Sequence, residues 1–354
     1  MSSAERPIYI ATRGSALALA QAQIVLSQCR AAFPQLSFDL KIIKTTGDKL
    51  QTASIAHPSE ALPKGLFTKE LEVSLLKNEA DLAVHSLKDL PTELPAGLKL
   101  GAVSKRADVR DVLIYRDANH LHADAAKVTV EEWTPGQSER RGFKPALKIQ
   151  ELPSGATVAT SSTRRKAQLL AQNPGLNVVE IRGNVVTRLQ KLAERAELDA
   201  LVLAAAGFER LNFQVMRDGH LKGDAIPQGL LATILEPEVM LPCVGQGALG
   251  IEIRDNDERG NAICERLNHF NTHQCVSAER AFLKAMGGGC QSPIAAYAEI
   301  QGHQIRLRVV SFRDGMARRG EAKRPVKDAA NLGEELAAQL AEKSVIAPDL
   351  RNRD

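Results

Sequence analysis

The sequence predicts an α/β fold of two similar lobes with a cleft between them, followed by a smaller α+β domain. Three observations carry this. Apolar strand-like runs alternate with helical runs up to residue 255, the pattern of sheets flanked by helices. A strand–loop–helix unit near the N-terminus recurs in the middle of the chain. Beyond residue 255 the pattern changes to one helix, three strand-like segments and a closing helix.

The first unit is the strand Ile8–Arg13, a Gly14-Ser15 loop and a helix rich in Leu, Ala and Gln to residue 28. The second reads the same way: strand 156–160, the loop Ser161-Ser162-Thr163 with Arg164 and Arg165, then the helix Lys166 to Leu170 and beyond. A β-rich run follows each, Leu40–Gly47 and Val178–Asn184. Then come a helix (Thr68–Asn78; Val185–Ala196) and an apolar strand (Asp81–Ser86; Asp199–Ala206). The expected sheets are parallel, and ligands of such sheets bind beyond the carboxyl ends of the strands. Residues 117–153, polar and charged around Pro135-Gly136 and Trp133, read as a long mobile loop or insertion. The last domain is read as a helix Cys275–Met286, strands Ile294–Ile300, Ile305–Phe312 and Met316–Lys323 joined by glycine turns, and a helix Asn331–Lys343.

Composition narrows the function classes. The chain has 354 residues, 44% hydrophobic and 25% charged, ample for several packed domains. It has no long apolar run, and its N-terminal residues lack an export pattern, so a cytoplasmic protein without a membrane span is expected. Five widely spaced cysteines with no C-x-x-C pair fit a reducing compartment. A net charge of +4 and 4% aromatics argue against nucleic acid as partner. Cys264, His269, His273 and Cys275 lack zinc-site spacing, so no metal is expected. Walker, dinucleotide and serine-hydrolase motifs are absent.

The loops at the strand ends carry the chemistry. Ser161–Arg165 follows a strand and opens a helix, where unsatisfied N–H groups and the helix dipole favour an anion. Ile181-Arg182-Gly183-Asn184 with Arg188 repeats this arrangement, and Arg13 with Ser15 provides it in the first lobe. Several such sites around one cleft imply a ligand with several negative charges. In His85-Ser86-Leu87-Lys88-Asp89-Leu90-Pro91, Asp89 at a strand end suits general acid–base work or turn capping. Lys64-Gly65-Leu66-Phe67 reads as a lid with a ring for a planar ligand, or as a hydrophobic staple. The run Gly287-Gly288-Gly289-Cys290-Gln291 presents a thiol on a permissive backbone, though alone it also fits a helix cap beside an inert cysteine.

Together these stretches resemble the porphobilinogen deaminase (hydroxymethylbilane synthase) family. The matches are Thr12–Ala18, Lys64–Leu71, Ala83–Pro91, Thr160–Arg165, Ile181–Arg188, Val244–Gly250 and Gly288–Gln291, in the family's order over nearly the whole chain. The resemblance implies two periplasmic-binding-protein-like lobes with a cleft between them, plus a small C-terminal α+β domain with a three-stranded antiparallel sheet. It places residues 1–104 in the first lobe, completed by 223–250. The second lobe is 105–222 with the insertion at 117–153, and the cysteine-bearing domain is 256–354. It implies a transferase that joins four porphobilinogen molecules head to tail into hydroxymethylbilane, releasing ammonia each time, in tetrapyrrole biosynthesis. A dipyrromethane cofactor would hang by a thioether from Cys290.

By position, Asp89 would be the catalytic residue, stabilising an azafulvenium-like cation. Ser15, Lys88, Ser162, Arg164, Arg165 and Arg188 would hold the cofactor. Arg13, Lys64, Phe67, Ser86, Arg182 and Arg210 would hold substrate. A monomer is implied, with product passed to the next enzyme of the pathway. The 117–153 segment is longer than the family's connector, and Thr163 and Ala295 stand where other residues are usual. A two-lobed anion sensor without catalysis shares the cleft but needs neither Asp89 nor Cys290.

Overall fold

The computed structural model describes residues 6–48, 65, 67–125, 140–289 and 291–345. The first four strands are β1 (Ile8–Arg13), β2 (Phe38–Ile43), β3 (Leu82–Ser86) and β4 (Leu98–Val103). The next four are β5 (Asp111–Arg116), β6 (Thr157–Ala159), β7 (Asn177–Val179) and β8 (Ala200–Ala204). A short hairpin, β9 (Gln214–Val215) and β10 (Leu221–Lys222), precedes β11 (Leu230–Leu235) and β12 (Leu249–Arg254). The first sheet has the order β2-β1-β3-β12-β4 and the second β11-β5-β8-β6-β7. Strand for strand the two orders correspond, which makes the sequence repeat a repeat of topology.

The sheets are mixed, a correction to the parallel arrangement read from the sequence. β1 runs parallel to β2 and β3, and β6 parallel to β7 and β8. β12 is antiparallel to β3 and β4, and β5 to β8 and β11. The chain crosses between lobes twice, at 104–110 and 236–248. Each crossing enters its new sheet from the cleft end: Leu249 pairs with Ser86, and Asp111 with Ala204. A strand that starts where its neighbours finish must run against them. The return segment 223–250 is thereby divided: β11 lies in the second sheet and β12 in the first.

The helices are α1 (Ala16–Ala32), α2 (Lys69–Leu76), α3 (Ala118–Ala125), α4 (Thr163–Gln172), α5 (Val185–Glu194) and α6 (Ala205–Arg210). After them come α7 (Glu258–Leu267), α8 (Phe270–Ala285) and α9 (Ala329–Val345). In the second lobe, Leu113, Tyr115, Val158 and Val202 pack on one face of the sheet, and Ile114, Ala159, Leu201 and Leu203 on the other. That two-sided burial explains why these strands are apolar runs rather than alternating ones. The 117–153 segment is less of an insertion than its composition suggested. Leu147, Ile149 and Leu152 are buried in the second lobe's core, and Phe143 meets Tyr115 edge to face at 6.0 Å. Its charged residues concealed an apolar spacing that anchors the strand β5; Trp133 lies outside the described residues.

In the last domain, β13 (Ile294–Gln301), β14 (Gln304–Ser311) and β15 (Arg318–Pro325) form an antiparallel sheet. Helices α8 and α9 cover one face through Phe282, Leu283, Leu332, Leu336 and Leu340. Burying each such side chain contributes about 1.5–3 kcal/mol.

Candidate active site

The cleft lies where the strand ends of both lobes face each other. Its free volume is about 390 Å³, a size that suits a small-molecule ligand. Arg13, Ser15, Phe67, Ser86, Lys88 and Asp89 line it from the first lobe. Ser162, Arg164, Arg165, Arg188 and Arg210 line it from the second, with Gln246 and Gly247 of the second crossing between them.

Among the helices that begin at this cleft, α1, α4 and α5 are each capped by the residue that ends a loop, whereas α6 follows Ala204 without a side-chain cap. Ser15, Ser162 and Asn184 accept hydrogen bonds from the N–H groups of Ala18 (3.3 Å), Arg165 (3.4 Å) and Thr187 (2.9 Å). A cap satisfies one first-turn donor and leaves others free beside the positive end of the dipole. The strand expected to run on to Asn184 stops at Val179, because Gly183 takes a φ of 116° and Asn184 starts α5. The capping role of Asn184 was not foreseen.

The arginines divide into two kinds. Arg164 and Arg165 are buried, and both face Asp111, the fully buried first residue of β5. Arg164 Nη1 stands 2.8 Å from Asp111 Oδ2, and Arg165 Nη2 donates to Oδ1 at 2.7 Å. Further donations go to the carbonyls of Leu241 (2.7 Å) and Val202 (2.9 Å). Burial alone would raise the Asp111 carboxyl, but the two guanidiniums outweigh it and hold it well below the usual range. Gln246 Nε2 adds a third donor to Asp111 at 3.0 Å. Two cations against one anion leave this floor positive. Arg164 Nε and Gln246 Oε1 are buried without a partner among the described residues.

Arg188 and Arg210 differ. Among the described residues neither forms an ion pair. Each gives a hydrogen bond to a carbonyl, Arg188 Nε to Gly183 at 2.8 Å and Arg210 Nη2 to Gly247 at 2.7 Å. Loss of solvent pulls each down to about 10; Arg165 adds repulsion at Arg188, and Asp89 acts against the shift at both. Both therefore stay cationic at neutral pH and have unfilled demand for an anion. Arg182 is placed otherwise. It is half exposed, 3.8 Å from Glu180, and does not line the cleft, although its neighbours Gly183 and Asn184 do.

Asp89 ends a 3-10 turn, Leu87–Asp89, directly after β3, and is exposed to the cleft. The second crossing fixes this turn. Gly245, at φ 70°, approaches so closely that a Cβ would lie 3.1 Å from Leu87 Cγ and 3.3 Å from Lys88 N. Desolvation pushes Lys88 below the ordinary lysine range; Asp89 opposes this and Arg165 adds to it. Ser86 Oγ is held by Gln21 Nε2 at 2.8 Å. Across the entrance, the Arg13 guanidinium lies over the Phe67 ring at 4.2 Å and pairs with Asp48. Phe67 is thus engaged by a cation already. Lys64 and Leu66 lie outside the described residues, whereas Gly65 and Phe67 of the same stretch are described.

Cys290 also lies outside the described residues, but its flanks are informative. Gly287 takes φ 62°, which favours glycine, and a Cβ on Gly288 would clash with Leu283 Cδ1 at 2.6 Å. A Cβ on Gly289 would meet nothing within 4 Å, so the backbone beside the cysteine borders open space. Burial pushes the thiols of Cys29, Cys264 and Cys275 up to about 12, making them inert. Cys243 is a further thiol that lines the cleft. Among the described residues no group of three or more His, Cys, Asp or Glu could hold a metal, and no helix is long and apolar enough to cross a membrane.

Residues 8–262 match the family model "Porphobilinogen deaminase, dipyromethane cofactor binding domain", and 273–342 match its C-terminal domain. A porphobilinogen deaminase of Syntrophomonas wolfei is 38% identical over 337 residues, 95% of each chain. One of Brevibacillus brevis is 41% identical over 299 residues, 84% of this chain and 82% of the relative. Among solved structures, the BenM effector binding domain with benzoate is similar at 14% identity and a TM-score of 0.37, covering 80% of this chain and 95% of that one. With model matches spanning both parts of the chain and relatives near 40% identity, the protein belongs to the porphobilinogen deaminase family.

Proposed function

We propose that the cleft assembles porphobilinogen units on a dipyrromethane carried by Cys290, with Asp89 as the catalytic carboxylate. The family reaction joins four porphobilinogen molecules into hydroxymethylbilane with loss of ammonia, and its cofactor, when bound, supplies the chain end that is extended. The residues fit such a group. A dipyrrole bearing acetate and propionate side chains is a polyanion, and the cleft offers three capped helix starts and two guanidiniums that lack a carboxylate. The open space beside Gly289 leaves room for a tethered group.

The observation that carries the reading is the placement of one exposed carboxylate among cations. Asp89 influences Lys88, Arg188 and Arg210 from its turn. Its carboxylate can accept pyrrole N–H hydrogen bonds, offset positive charge as ammonia departs, and move a proton at the reacting carbon. Arg188 and Arg210, with Lys88, take ligand carboxylates. Arg164 and Arg165 hold the positive floor and offer their remaining donors to the cofactor, and Ser15 and Ser162 keep their helix starts in place. Arg13 and Phe67 form the entrance wall, with Ser86 beside them. Arg182 serves from the rim and Lys64 from the lid.

We assign residues 1–104 with β12 and α7 to the first lobe, 105–222 with β11 to the second, and the chain from α8 onward to the third; α7 departs from the 256–354 expectation because Ile263 and Cys264 pack against Ile8, Val25 and Leu82. The protein acts as a monomer in the cytoplasm and passes its product on; widely spaced cysteines without a C-x-x-C pair support the compartment, and the family resemblance supports the monomer.

Intact mass tests the core of this. The purified protein is expected to exceed its polypeptide mass by a dipyrrole, and Cys290→Ser to lose that increment. A bare polypeptide mass with full turnover contradicts the assignment. Asp89→Ala is expected to keep the increment and lose turnover by about 10²–10⁴-fold; a change within a few-fold removes Asp89 from the chemistry.

A further inference from the structure

We propose that Thr163 is a positioning residue that registers the cysteine-bearing loop of the third domain against the second lobe. Thr163 Oγ1 donates to the carbonyl of Gln291 at 2.6 Å, across 128 residues of chain. Gln291 directly follows Cys290, so this bond fixes the backbone one residue from the attachment point. The proposal rests on the reading that Cys290 carries the cofactor.

The donor is held on a rigid turn. Thr163 is the first residue of α4, between the cap Ser162 and the buried Arg164. That turn is bound to the second crossing on two sides: Arg164 Nη1 donates to the Leu241 carbonyl at 2.7 Å, and Gln168 exchanges hydrogen bonds with Leu241 at 2.8 and 3.0 Å. A β-branched side chain also has few rotamers from which to direct its hydroxyl. The acceptor loop is held at its other end by its own domain, where Arg313 donates to the carbonyls of Met286 and Gly287. Within it, Gly289 N–H donates to Ser292 Oγ at 2.9 Å, and Ser292 N–H to the Gly289 carbonyl at 2.9 Å. Arg313 therefore sets the loop on its domain, and Thr163 sets it relative to the arginine floor. The same helix turn that presents Ser162 and Arg165 to the ligand also fixes the loop from which the ligand hangs.

The test compares Thr163→Val, which keeps the shape and removes the donor, with Thr163→Ser, which restores it. On holoenzymes, hydrogen exchange of the peptide spanning 287–292 is read beside kcat and KM. Thr163→Val is expected to speed loop exchange about 3–10-fold and to lower kcat by a similar factor, with KM within twofold, as loss of one hydrogen bond allows. Thr163→Ser is expected to match the parent. Parental exchange and kcat in Thr163→Val, or a serine variant that behaves like valine, overturns the assignment. Intact mass separates the two levels. A parent without the dipyrrole increment overturns the attachment reading and this proposal with it. The increment present with unaltered exchange in Thr163→Val overturns the Thr163 role alone.

Discussion

Arg164 and Arg165 differ from Arg188 and Arg210 in what already holds them, although all four line one cleft. The first two share the buried Asp111 and spend donors on backbone carbonyls. The second two have lost solvent without gaining a carboxylate. A buried ion pair broken on one side leaves an uncompensated charge, whereas a desolvated cation facing a cleft gains when an anion arrives. The same residue type therefore serves architecture in one place and recognition in the other. Asp111 makes the difference, by starting the antiparallel strand that the first crossing inserts.

The largest expected effect tests the architectural half. Asp111→Ala strands two buried guanidiniums, and denaturant unfolding is expected to show a loss of about 3–5 kcal/mol. A loss below about 1 kcal/mol, within reach of an exposed ion pair, would dissolve the contrast. Next comes recognition. Arg188→Leu and Arg210→Leu are each expected to cost about 1.5–3 kcal/mol of substrate or cofactor binding, roughly 10–150-fold, for the charged hydrogen bond lost. Their thermal midpoints should hold or rise, since an unpaired desolvated cation is removed.

A smaller effect concerns acid. The Asp111 carboxyl is lower in the fold than in the unfolded chain, so its stabilisation is present above the ordinary aspartate range and is lost only as pH falls through the depressed folded value. Asp111→Asn should therefore flatten the acid limb of stability. An unchanged limb would mean that other carboxylates govern it. The smallest effect concerns alkali. Lys88 titrates below the ordinary lysine value in the fold, so the unfolded chain binds more protons in that window, and stability rises with pH across it. Turnover that needs the ammonium falls over the same window. Lys88→Arg should move that alkaline limb upward, and an unmoved limb would show that another group sets it.

Much of this was legible in the residues. The strand–loop–helix repeat predicted two lobes, and the hydroxyl-arginine loops after strands predicted anion sites, because helix starts impose both. What escaped was long-range. Asp111 pairs with Arg165 across 54 residues, and a lone aspartate before an apolar strand carries no sign of its partner. The antiparallel strands follow from two crossings whose direction no local pattern records. Leu147, Ile149 and Leu152 were lost among lysines and prolines, though their spacing was there to read. Asn184 was the recoverable miss, since an Asn before an apolar helix is an N-cap signal.

Arg188→Leu placed beside Arg164→Leu in the holoenzyme, with KM and thermal midpoint measured on the same preparations, separates recognition from architecture. Arg188→Leu is expected to raise KM roughly tenfold or more at an unchanged midpoint, while Arg164→Leu lowers the midpoint because Asp111 Oδ2 and the Leu241 carbonyl lose their buried donor. A falling midpoint with unaltered KM in Arg188→Leu would contradict that division.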